Sequence, residues 1–163
     1  MNVVEYRQEH LEDLMNSDLS SGTERQVFVK QYAGQLERPG WSFTVLDHGY
    51  LIACAGITEM WTGVGEAWLI GSARLNQKAR SFIRLAKSGI YEKTARKHGL
   101  RRVQAACRAD WPQALRFAKF MGFEEEGLMK SYGHKGEDFI RVARLHGVNS
   151  ISISSNGRSR VGG

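Results

Sequence analysis

A chain of 163 residues with 42% hydrophobic side chains can bury the core of one domain, and nothing in its length calls for a second. Its most apolar windows run to about ten residues, half of what a bilayer-spanning helix needs. The first residues, Met1 to Tyr6, lack the basic start of a signal peptide, so the expectation is a soluble protein of a cell interior.

Taken in order, Asn2 to Tyr6 is short and β-branched and reads as a first strand. Glu9 to Asn16 and Gly22 to Leu36 read as two helices, the second carrying Val27, Phe28, Gln31, Tyr32 and Leu36 at helical spacing. Arg38, Pro39 and Gly40 stop it. Trp41 to Leu46 and Tyr50 to Met60 make two strands joined at Asp47, His48 and Gly49, residue types that suit a tight hairpin. A third strand, Glu66 to Ser72, is entered through Thr62 to Gly65 as a turn. Ala79, Phe82, Ile83, Ala86 and Ile90 then fall on one face of a single helix that ends at Lys97, His98 and Gly99. Arg101 to Arg108 supplies the next strand. Asp110, as N-cap, and Pro112, in the first turn, open a second helix that Gly122 ends.

Glu125 to Tyr132 and Asp138 to Leu145 pair across a turn from Gly133 to Gly136. The order β-α-α-β-β-β-α-β-α-β-β combines hairpins with one βαβ crossover, which implies a mixed sheet in an α+β domain over residues 1–145. Residues 146–163 turn to Gly, Ser, Asn and Arg, a composition that predicts a flexible tail. Cys54 and Cys107 sit inside strands without metal or redox spacing and read as buried thiols, so no metal is implied.

Charge is unevenly placed. From Arg74 to Arg102 there are ten Lys or Arg and one acid, Glu92, whereas residues 1 to 40 hold seven acids and four bases. Such a cluster makes an electropositive face suited to phosphates, nucleic acid or an acidic protein, the alternative being a solvated helix face.

The run Trp68, Leu69, Ile70, the basic helix around Phe82 to Ala86, and Ala114 to Phe123 resemble the second half of the GNAT superfamily of N-acetyltransferases. Among these they are similar to a small branch encoded by tailed bacteriophages, some of whose members are internal virion or virion-assembly proteins. The resemblance implies a mostly antiparallel sheet with a splayed parallel pair at its centre. It also implies acetyl-CoA as cofactor, an amine acceptor, and the host cytoplasm or a virion as location.

By that resemblance the pantetheine lies against the strand backbone at Trp68, Leu69, Ile70 and Gly71, with Trp111 nearby. The pyrophosphate sits on the next helix start, at Arg74, Gln77, Lys78, Ala79, Arg80 and Ser81, where unpaired N–H groups favour an anion. The family's glycine-rich loop is absent there, so Arg74, Lys78 and Arg80 would hold phosphate by side-chain charge. Its asparagine and its tyrosine acid fall on Trp111 and Ala118, and alanine cannot protonate a thiolate. Glu66 and Glu59 are the candidate bases, and Tyr132 and His134 the candidate acids. The alternative for each is a solvated strand-end or turn residue. Two further hypotheses stand beside catalysis: a degenerate GNAT-like protein that acts through contacts with phage or host proteins, and a nucleic-acid binder, which rests on charge alone.

Overall fold

Seven strands, β1 (Asn2–Glu5), β2 (Ser42–Asp47), β3 (Tyr50–Trp61), β4 (Val64–Gly71), β5 (Arg102–Arg108), β6 (Glu124–Met129) and β7 (Phe139–Leu145), form a sheet in the order β1-β2-β3-β4-β5-β7-β6, in which every neighbouring pair is antiparallel except β4 and β5. It is seen in a computed structural model that describes residues 1–17 and 33–147. The predicted helix over 22–36 and the predicted tail lie mostly outside these residues; at 33–36 there is a single 3₁₀ turn.

β1 (Asn2–Glu5) leads into α1 (Gln8–Asn16), which buries Leu11 and Leu14 completely against Tyr6, Cys54 and Ile70 on one face of the sheet. Each leucine so buried contributes about 1.5–3 kcal/mol. β2 (Ser42–Asp47) and β3 (Tyr50–Trp61) form the expected hairpin, with His48 and Gly49 both at positive φ (49° and 82°) as a type I′ turn requires.

β4 (Val64–Gly71) begins two residues earlier than the sequence indicated, and Gly65 belongs to the strand, not to the turn. A side chain at Gly65 would collide with Ile57 across the β3–β4 pair, so the glycine serves close approach.

The predicted long helix is broken. α2 (Arg74–Gln77) is one turn, α3 (Ala79–Leu85) follows, a π turn spans Ala86–Ile90, and α4 (Tyr91–Lys97) completes the run. Gly89 has φ +98°, outside the helical region. The buried positions of α4 are Thr94, which continues the 82, 86, 90 series, and Ala95 beside it.

β5 (Arg102–Arg108), α5 (Pro112–Phe120), β6 (Glu124–Met129) and β7 (Phe139–Leu145) close the domain. Asp110 does not cap α5. Its carboxylate is taken by Arg108, and the cap position falls on Trp111 with no side-chain bond. The last hairpin is shorter in strand and longer in loop than expected, which puts Tyr132 in the loop and not in β6.

On the other face of the sheet from α1, α3 sets Phe82 against Ala53 and Val45. α4 and α5 set Ala95 and Ala118 against Ile57, Val103, Val142 and Phe123. Cys54 and Cys107 are buried free thiols, as the sequence implied. No helix among the described residues is long and apolar enough to cross a membrane.

Candidate functional site

β4 follows β3 along its whole length, and β5 follows β7 in the same way. Between them β4 and β5 share only three register pairs, Val64 with Arg102, Gly65 with Val103 and Glu66 with Gln104. Beyond Glu66 the two half-sheets diverge. The backbone groups of 67–71 and 105–108 that face the gap have no ladder partner across it, leaving polar main chain available to a ligand.

The gap opens into a cleft of about 1200 Å³, walled by Ala67 to Gly71 on β4, Ala105 to Arg108 on β5, Phe82 and Ile83 on α3, and Ala114 and Phe117 on α5. It is long, apolar and flanked by peptide edges. A flexible, amide-bearing chain fits such a slot.

Of the expected residues, Trp68, Leu69, Ile70, Gly71, Ala79 and Trp111 line this cleft, and so do Glu66, Tyr132 and His134. Glu66 stands at the point where the strands part. Arg141 Nη1 donates to both its oxygens at 2.8 Å and Gln104 Nε2 to one of them at 2.9 Å, so the carboxylate is committed to three hydrogen bonds. Glu59 is not in the cleft wall; it lies on β3 opposite Gly65, with Arg38 at 3.9 Å. Tyr132 is 54% exposed, its ring edge against Phe139, and His134 is an exposed residue of the same loop.

At the helix start the expected set divides. Ala73 to Lys78, which has no glycine, winds into a helical turn, and the N–H groups of Leu75 and Lys78 are used by Ser72 and Arg74 carbonyls. Lys78 Nζ is held 2.9 Å from Asp47. The hydrogen bond from Lys78 is the main reason the Asp47 carboxyl titrates below its usual range. Arg74 lies over the Tyr50 ring at 4.1 Å. Gln77, Arg80 and Ser81 are exposed.

The sequence reading missed Arg108. Its side chain is 2% exposed at the open end of β5, where Nε and Nη2 bind the two Asp110 oxygens at 2.9 and 2.5 Å and Nη1 lies 3.8 Å from Glu137. Backbone N–H groups of Glu137 itself and of Lys135, with Arg108 behind them, hold the Glu137 carboxyl below its usual range. The Arg108, Ala109, Asp110 spacing was the available signal. The indole N–H of Trp68 is buried and has no hydrogen-bond partner among the described residues.

No protein-family model matches the sequence, and no curated protein does. Solved structures do match in shape. A ribosomal-protein-alanine N-acetyltransferase from Brucella melitensis superposes with a TM-score of 0.64 at 15% identity, over 90% of this chain and all of the other. Ard1 from Thermoplasma volcanium gives 0.66 at 14% identity, over 88% of this chain and 96% of its own. A variant of the spermidine N-acetyltransferase SpeG from Vibrio cholerae gives 0.62 at 15%, over 88% and 92%. At these identities the likeness establishes the fold, which is that of the GNAT N-acetyltransferases.

Proposed function

We propose that this chain is an N-acetyltransferase of the GNAT type, which carries an acetyl group from acetyl-CoA to an amine. The observation that carries the reading is the parting of β4 and β5 after Glu66, which leaves a slot with unpaired backbone on both sides. Pantetheine amides would complete the interrupted ladder along Trp68 to Gly71, and the diphosphate would meet Arg74 and Arg80 by the start of α3. These residues fit the cofactor's apolar arm well and its phosphates less well, because Lys78 already neutralises Asp47.

When bound, acetyl-CoA would supply a thioester carbonyl to the acceptor amine: a C–N bond would form as the C–S bond breaks, the nitrogen giving up two protons, one before attack and one on collapse, and the thiolate gaining one. Glu66 is tied to Arg141 and Gln104, so its part is to fix the charge pattern where the slot ends. Proton transfer falls to His134, which would take the ammonium proton, and Tyr132, which would give one to the thiolate.

A second reading keeps the fold without the chemistry, as a GNAT-like protein of phage origin that acts in virion assembly or on a host factor. The committed Glu66, the tethered Lys78 and Ala118 favour it.

Thermal unfolding with and without acetyl-CoA separates the two. The enzyme reading expects stabilisation of about 2.7 kcal/mol at a hundredfold excess over the dissociation constant. No shift at millimolar cofactor would leave only the second reading.

A further inference from the structure

The outward ridges of α3 and α4 are basic. Arg80, Arg84 and Lys87 are exposed on the first helix and the turn that follows it, and Lys93, Arg96 and Lys97 on the second. Glu92, the one acid in this stretch, is half-buried and bound to Arg144 at 2.8 Å, with His146 at 3.4 Å. It offsets the row only through Arg96, at 3.6 Å. Among the described residues no carboxylate pairs with Arg80, Arg84, Lys93 or Lys97. A helix face that is merely solvated usually alternates charge in i,i+4 pairs, and here that alternation is missing.

A second observation points to the kind of polyanion. Two exposed aromatic rings carry basic side chains, one belonging to the row and the other to the short helical turn α2 that precedes it. Lys87 Nζ sits 3.6 Å from the centroid of Phe120, which is 47% exposed, and the Arg74 guanidinium lies 4.1 Å over Tyr50, which is 56% exposed. Rings held at a cationic surface offer a stacking platform for bases that are not already stacked in a duplex. An acidic protein surface would use the charge and have no need of the rings. α3 and α4 each rise roughly 10 Å over their seven residues, with the kink at Gly89 between them.

We propose that the α3–α4 ridge, with Phe120 and Tyr50 at its borders, is a binding surface for single-stranded nucleic acid. Phosphates run along Arg80, Arg84, Lys93 and Lys97, and bases rest on the two rings. The surface shares Arg80, and the Arg74 that covers one of its rings, with the residues proposed to meet the diphosphate, so its test rests on Arg84, Lys93 and Lys97, which lie outside that set.

The test is fluorescence anisotropy of the full chain with labelled oligouridine and oligothymidine of about twelve nucleotides. Hairpin duplex DNA and polyglutamate serve as competitors. Binding of either single strand supports the proposal if log K falls against log salt with a slope of about −3 to −4, as for roughly five phosphates. The charge-reversed triple variant Arg84→Glu, Lys93→Glu, Lys97→Glu should bind at least a hundredfold more weakly and lower that slope by about 2. Arg84→Lys, Lys93→Arg, Lys97→Arg should bind as the wild type does. Phe120→Ala should cost roughly tenfold on single strands and nothing on duplex. A melting temperature unchanged in all variants excludes misfolding as the cause. The proposal is overturned by no binding, by wild-type affinity in the reversed triple, by duplex binding as tight as single-strand binding, or by polyglutamate competing as well as the oligonucleotide.

Discussion

The two ends of the β4–β5 pair are built from similar strands and behave in opposite ways. At the closed end the ladder is intact from Val64 to Glu66, and polar side chains knit over it: Glu66 with Arg141 and Gln104, then Tyr91 with His146 and Glu92. At the open end the same strands give up their mutual hydrogen bonds, and buried Arg108, with Asp110 and Glu137, lies between them and the last loop. The difference teaches that the slot is not a weakness in either strand. Each is fully paired on its outer side, and what opens is the seam between two half-sheets that twist apart.

The open end should be the more fragile to single changes, and three experiments bear on that. The largest effect is expected from Arg108→Met, which leaves Glu137 at 18% exposure without its cation. Asp110 is 59% exposed and Glu137 keeps the Lys135 N–H, so the loss comes mainly from removing the buried guanidinium that ties the two carboxylates together. Urea unfolding reads it as a lower midpoint at constant slope. A loss under about 0.5 kcal/mol would mean that this pair has no part in holding the open end.

Next in size is Ala106→Trp, which puts a ring into the slot from the β5 wall. It should remove the stabilisation of about 2.7 kcal/mol expected from saturating acetyl-CoA, whereas Arg102→Met at the closed end should keep it. Retention of the shift in Ala106→Trp would mean that the ligand does not enter between the strands.

The smallest effect belongs to the closed end and depends on pH. Burial is the main cause that lowers the His146 pKa below the ordinary 6.5, with Glu92 opposing it. The unfolded chain therefore takes up a proton that the folded one resists. Stability present above pH 6.5 should decline as pH falls below that value, before the lowered carboxyls of Asp47, Glu126 and Glu137 contribute at more acid pH. His146→Gln should flatten the first decline and leave the second. An identical pH profile in the variant would show that His146 is not the group being read. Tyr91 is also shifted, upward by burial, but it stays neutral across this whole range.

How much of this was legible in the sequence follows from the range over which each cause acts. Hairpins and helix ends depend on a few adjacent residues, so His48 and Gly49, Pro112 and Gly122 could be read directly. The break at Gly89 could not, because a glycine in a helical pattern is usually tolerated and its φ of +98° is imposed by where α3 and α4 must pack. The site divided in the same way. Trp68 to Gly71 were expected beside the cofactor only from the resemblance to the GNAT superfamily, and they line the cleft. Glu59 was placed wrongly because strand position does not say which wall a residue joins, and Arg108 was missed because its partner Glu137 comes from a loop 29 residues on.

Local periodicity, chirality and composition were enough for the strands, the parallel crossover, the two buried cysteines and the basic stretch. The fold in space was needed to show where β4 and β5 part, just after Glu66, that Lys78 and Glu66 are already engaged, and that Lys87 stands over Phe120 and Arg74 over Tyr50. Those outcomes turn on which of several competing partners each group meets in space, and distance along the chain does not encode that choice.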